Sequence, residues 1–203
     1  MTISIHYPRM GTHVKSAFVA FGTAMSAPRE HLIGVVGTLT DADGRVAGET
    51  ILFRSQKRAG GRKHCWAIMF KNMAAGLYTL QIKCAHTDGS LTAAEQVLNI
   101  RVGVAALDAI SSDHPTNGTP LSADEKEYFI ASGVTSSLAT KAFFTKQPFN
   151  SAADYVVADY VDTSPNDQIW WATFPPLAAG NYIFTVEDTD PDSKTYINIT
   201  VPQ

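Results

Sequence analysis

The sequence predicts an all-β chain built as two tandem antiparallel β-sandwiches of about seven strands each, residues 1–102 and 103–203. Three observations carry this prediction. The motif Trp66-x3-Phe70-x2-Met73-Ala74-Ala75-Gly76-x-Tyr78 returns as Trp170-x3-Phe174-x2-Leu177-Ala178-Ala179-Gly180-x-Tyr182, with a constant offset of 104. Upstream, Pro8-x-x-Gly11-x-x-Val14 is echoed by Pro115-x-x-Gly118-x-x-Leu121. Between these motifs run short apolar or alternating segments separated by turn residues. A repeat of this length is far too long for a solenoid unit and matches one small domain.

The elements follow in order. Ile3-Ser4-Ile5 alternates and opens the first strand, which ends at the Pro8–Gly11 turn. Phe18 to Thr23 forms the second strand, and the valine-rich run Leu32 to Thr40 the third. Asp41-Ala42-Asp43-Gly44 is a hairpin signal, so Arg45 to Phe53 returns as a strand. Cys65 to Phe70, Tyr78 to Ala85 and Thr92 to Val102 complete the first domain, with a turn at Thr87-Asp88-Gly89-Ser90. In the second domain, Tyr128 to Val134, Ala142 to Lys146, Tyr155 to Tyr160, Trp170 to Phe174, Tyr182 to Glu187 and Thr195 to Val201 are the strands. Ser122 with Glu125 three residues later has the pattern of a capping box and predicts one helical turn.

Alternation assigns the cores. Trp66, Ile68, Phe70, Tyr78, Leu80 and Ile82 share inward faces, as do Trp170, Ala172, Phe174, Tyr182, Phe184 and Val186. Trp171 falls out of phase. It is expected to face outward, as an exposed aromatic able to stack on a sugar or as a contact between domains.

Composition narrows the class. With 45% hydrophobic and 17% charged residues the chain can fill two small cores. No apolar run approaches a membrane span. Met1 to Pro8 shows no basic region followed by an apolar one. As written the chain is expected in the cytoplasm, or outside the cell or at its surface if it is part of a longer exported protein. Two cysteines rule out a disulfide-dense scaffold.

The motifs Pro8-x-x-Gly11, Asp41-Ala-Asp-Gly44, Trp66-x3-Phe70, Ala74-Ala-Gly76-x-Tyr78 and Asp88-Gly89, with their second-copy counterparts, resemble bacterial immunoglobulin-like modules of the Ig and fibronectin III type. The resemblance covers nearly the whole chain. It implies a tyrosine corner at Gly76–Tyr78 and at Gly180–Tyr182, where the tyrosine hydroxyl ties back to the backbone. It also implies the work such modules do on cell surfaces, as spacers, adhesive domains or accessories beside enzymes.

Candidate sites are few. Arg54, Lys57, Arg58, Arg62 and Lys63 make a basic loop ending at His64. It lacks an aromatic for stacking, which counts against nucleic acid and leaves an acidic protein partner or a second copy of this chain. Asp188, Asp190 and Asp192 alternate as hard oxygen ligands do in calcium loops, without the glycine and closing glutamate of an EF-hand. His64, Cys65, Cys84 and His86 lack metal-ligand spacing, and the phases of Cys65 and Cys84 oppose a bridge between them. No nucleophile elbow, phosphate loop, dinucleotide fingerprint or His-Glu-x-x-His occurs. The expected function is therefore a non-enzymatic structural or protein-interaction module without a cofactor. The alternatives are a carbohydrate-binding or accessory module of a surface enzyme, and a polyanion binder using the basic loop.

Charge divides unevenly. Residues 1–102 hold 12 basic and 6 acidic residues, or +6; residues 103–203 hold 4 and 13, or −9, with no arginine. Such asymmetry predicts attraction between the unlike halves, within one chain or between neighbouring chains.

Overall fold

The computed structural model describes residues 2–25, 32–50, 56–57, 63–86, 89–91, 95–103, 110–127, 129–135, 139–164, 169–189 and 193–203. The chain divides into two compact units, Met1–Ala105 and Ala106–Gln203. Each is an Ig-like β-sandwich.

In the first unit the alternating and β-branched runs become β1 (Thr2–Tyr7), β2 (His13–Val14), β3 (Phe18–Met25), β4 (Leu32–Asp41), β5 (Val46–Thr50), β6 (Gln56–Lys57), β7 (Lys63–Phe70), β8 (Gly76–His86) and β9 (Glu95–Val102). They form two sheets, β1-β3-β7-β6 and β2-β9-β8-β4-β5. All named pairs are antiparallel except β2 with β9. That parallel pairing is fixed by Arg101 N–H to Thr12 O at 3.0 Å and Gly103 N–H to Val14 O at 2.9 Å.

The second unit contains β10 (Ser111–His114), the short helix α1 (Ala123–Glu127), β11 (Ile130–Val134), β12 (Ala139–Gln147), a 3-10 turn (Ala152–Asp154), β13 (Tyr155–Val157), β14 (Tyr160–Ser164), β15 (Ile169–Thr173), β16 (Gly180–Asp188) and β17 (Lys194–Val201). Its sheets are β10-β11-β15-β14 and β13-β12-β16-β17. A parallel bridge between Pro120 and Thr200 repeats the β2–β9 pairing in miniature, with Leu121 N–H to Thr200 O at 3.0 Å.

The cores fall where alternation places them. Trp66, Ile68, Phe70, Leu80 and Ile82 are fully buried, and Tyr78 nearly so. Trp170, Ala172, Phe174, Tyr182, Phe184 and Val186 belong to one buried cluster with Phe144 and Phe129. Both tyrosine corners are formed: Tyr78 donates to Ala74 O at 3.0 Å and Tyr182 to Ala178 O at 2.9 Å. The glycine before each tyrosine acts differently in the two copies. Gly180 has φ of +151°, whereas at Gly76 a side chain would meet the Tyr78 ring at 3.3 Å.

A second glycine is shared by the copies and lies outside the repeated motifs. Gly22 on β3 faces Trp66, and Gly133 on β11 faces Trp170. A Cβ at either position would collide with the backbone oxygen of Ser4 or Ser111 and approach the indole at 2.7 or 2.8 Å. Absence of a side chain therefore lets each core tryptophan lie against the sheet. In the second unit Trp170 Nε1 also donates to Ser111 O at 2.9 Å; in the first, Trp66 Nε1 has no hydrogen-bond partner among the described residues.

The expected helical turn is α1. Ser122 N–H donates to Glu125 Oε2 at 2.7 Å, and Glu125 N–H to the Ser122 hydroxyl at 3.2 Å, the reciprocal bonds of a capping box. The expected single strand from Tyr155 to Tyr160 is instead two. Ala158 N–H still bonds Ala142 O on β12, but Asp159 N–H bonds Thr173 O on β15, so the chain changes sheets between these residues. Cys65 and Cys84 are both buried and form no disulfide.

Candidate functional site

Register between β13, β12, β16 and β17 sets out the face of this sheet that turns away from its core. One row across the strands is Val157, Phe143, Thr185, Tyr196. The next is Tyr155, Thr145, Ile183, Asn198. A third contains Gln147, Asn181 and Thr200. Among the described rows, charge appears at one end, in the row Lys141, Glu187, Lys194, where Lys194 Nζ meets Glu187 Oε1 at 2.9 Å.

Four large apolar side chains lie open to solvent on or beside this face: Val157 and Tyr196 at 65%, Phe149 at 49% and Tyr155 at 45%. Phe143 and Ile183 are half-buried, and Thr185 is buried between the strands carrying Phe143 and Tyr196. The Tyr155 ring is held edge-on from two sides, by Phe143 at 5.7 Å and Phe149 at 5.2 Å between centroids. Aromatic pairs prefer this geometry, so the orientation of the Tyr155 ring is set by its two neighbours.

The connection that carries Phe149 and Tyr155 is tightly bonded. Asp154 Oδ2 accepts from Asn150 N–H at 2.7 Å and from Ser151 N–H at 2.9 Å, and the Ser151 hydroxyl caps the 3-10 turn. The two backbone bonds from Asn150 and Ser151 hold the Asp154 carboxyl below its ordinary range. Burial, with the Asp154 charge as a second cause, raises the Tyr182 phenol. On the polar side of the face, Asn181 Oδ1 accepts from the Thr200 hydroxyl at 3.0 Å.

The first copy gives an internal comparison. Its equivalent row, aligned through the same offset of 104 that relates Tyr78 to Tyr182, is Glu49, Thr38, Gln81, Gln96. The neighbouring row exchanges Val46, Thr40 and Thr79 for Tyr155, Thr145 and Ile183. The same scaffold thus folds with a polar row at this place, so the apolar row of the second unit is not required by the fold; elsewhere on the same face the first unit exposes Val46, in the neighbouring row, and Leu77, at the place of Asn181.

The residues expected from sequence to act are placed as follows. Trp171 is buried, with 7% exposure, and its ring lies 5.3 Å from that of Tyr160. This corrects the expectation of an exposed sugar-stacking tryptophan: every residue of β15 is buried, so being out of phase with the core does not mean exposure. Arg54, Arg58 and Arg62 lie outside the described residues. Lys57 and Lys63 are placed only as backbone, on β6 and β7. Asp188 is buried at the end of β16, and Asp190 and Asp192 lie outside the described residues. Among the described residues no three His, Cys, Asp or Glu side chains converge as metal ligands would. No helix among them is long and apolar enough to cross a membrane.

No family profile and no curated protein matches the chain. Among solved structures it is similar to the fibronectin(III)-like modules of Clostridium thermocellum CbhA, at 15% identity over 100% of this chain and 95% of that one, TM-score 0.32. It is similar to dimeric latent PorU from Porphyromonas gingivalis, at 12% identity over 100% of this chain and 20% of that one, TM-score 0.48. It is also similar to titin A168–A169, at 12% identity over 100% of both chains, TM-score 0.28. The fold resembles Ig-like and fibronectin III sandwiches from bacterial and eukaryotic proteins.

Proposed function

We propose that this chain is a non-catalytic binding module whose contact surface is the outer face of the β13-β12-β16-β17 sheet. The observation that carries the reading is the exchange of Glu49, Thr38, Gln81 and Gln96 in one copy for Val157, Phe143, Thr185 and Tyr196 in the other. Exposed apolar side chains gathered on one face usually mark an interaction site, whereas singly scattered ones do not. Aromatic residues without charge are also what the centre of a binding surface favours.

The test separates folding from binding. Val157→Ser and Tyr196→Ser should each leave the unfolding free energy within about 0.5 kcal/mol of the parent, because exposed positions carry little stability, whereas Tyr155→Ser, which also loses its ring contacts with Phe143 and Phe149, should cost about 1–3 kcal/mol and still leave the unit folded. The same changes should weaken association in two assays, retention on immobilised glycans and sedimentation of the chain against itself. Gln81→Ser and Gln96→Ser in the first unit should not. Association insensitive to all three changes would overturn the reading.

A further inference from the structure

Resting on that reading, we propose that the outer face of the second unit binds a neutral oligosaccharide, with Tyr155 and Tyr196 as stacking rings and the Asn181–Thr200 pair as a polar contact. A pyranose ring has an apolar face of C–H groups and an edge of hydroxyls. It therefore needs a flat ring beside amide and hydroxyl groups, both of which this face supplies.

Charge selects among occupants. Residues 103–203 carry −9, so two copies meeting through this unit repel, as does an anionic ligand. The central rows themselves have no ionisable side chain apart from tyrosine, so nothing charged there loses water when a neutral ligand binds.

Size selects again. Four strands about 4.8 Å apart and three rows about 6.8 Å apart give a face on the order of 400 Å². A stable protein–protein contact needs about 800 Å² per partner. The face is half of that, and wide enough for a few sugar rings laid across it. Preorganisation points the same way. Tyr155 is wedged between Phe143 and Phe149, and Asn181 is tied to Thr200, so little ordering remains to oppose a small ligand.

The experiment titrates the full chain with neutral α- and β-linked hexose oligomers of three to six units, followed by backbone amide shifts and by calorimetry. The expected result is saturable binding to at least one oligomer, with shifts centred on Tyr155, Asn181 and Tyr196. Tyr155→Ala and Tyr196→Ala should each weaken it at least about tenfold, and Gln96→Ala should leave it unchanged. No saturable binding to any oligomer up to about 10 mM would overturn the glycan. So would shifts confined to other surfaces. If instead sedimentation shows a dimer that Tyr196→Ala dissolves, the glycan is wrong and the contact face stands. If neither ligand nor dimer responds to Tyr155 or Tyr196, both are wrong.

Discussion

The phenol of Tyr182 donates to the carbonyl of Ala178 across 2.9 Å, four residues back along the chain. Tyr78 and Ala74 repeat the bond at 3.0 Å. Each ties the crossing from one sheet to the other. Tyr182→Phe keeps the buried ring and removes only the bond, so it should cost about 1 kcal/mol. In a domain of this size that lowers the melting temperature by roughly 4–8 °C. Tyr78→Phe should act alike on the first unit. Thermal melts of both variants check this; an unchanged midpoint would mean that water replaces the bond without loss.

Gly133→Ala should be far more damaging than its single methyl group implies. The Cβ would fall on the Ser111 carbonyl oxygen and within 2.8 Å of Trp170 Nε1, the two atoms that bond to each other. Backbone cannot yield as a side-chain tip can, so the expected loss is about 3 kcal/mol or more. Gly22→Ala should behave similarly. Trp170→Phe should cost more than Trp66→Phe, since Trp170 alone surrenders a hydrogen bond. Urea unfolding with equal slopes would allow the comparison.

The acid range should expose Glu125. Burial pushes its pKa upward, but the hydrogen bond and charge of His114, 3.2 Å away, and the bonds to Ser122 outweigh this and bring it to about 2. A folded-state pKa below the unfolded value of 4.5 means stability that is fully present above that pH. It is lost as pH falls from there toward 2. After allowance for solvent screening the loss is on the order of 2 kcal/mol. Glu125→Gln should flatten that part of the stability–pH curve, and equal slopes in parent and variant would count against it.

Unlike charge in the two halves, +6 and −9, should give weak association between chains that fades with salt, because exposed charges are screened over about 8 Å at physiological ionic strength. Sedimentation velocity at low and high salt checks this. Neutralising Lys57, Arg58, Arg62 and Lys63 should remove it; a monomer independent of concentration at low salt would end the idea.

The fold was legible because duplication doubled each signal. Trp66 with Tyr78 reads as a sandwich motif, and Trp170 with Tyr182 repeats its spacing. Gly22 and Gly133 escaped notice because their offset is 111, not 104, the intervening loops having changed length. The candidate site was less legible. Phe143, Tyr155 and Tyr196 lie on three different strands and share one face only through strand register. The Tyr155–Tyr160 segment reads as one strand, because a change of sheet at Ala158 alters hydrogen-bond partners and not residue type. Trp171 misled for a related reason: alternation reports which side of a strand a residue takes, and exposure follows only where one side is wet.

The parallel pairing of β2 with β9, and of Pro120 with Thr200, bears on tension. In each unit the paired segments lie near the start and the end of the folded domain and run in the same direction. Drawing the chain termini apart slides one segment along the other, so the bonds within each unit are loaded together in shear and are not peeled one by one: Arg101 to Thr12 with Gly103 to Val14 in the first, and Gly118 to Asn198 with Leu121 to Thr200 in the second. A tether made of these two units would yield in two abrupt steps, each holding until its short parallel pairing gives way.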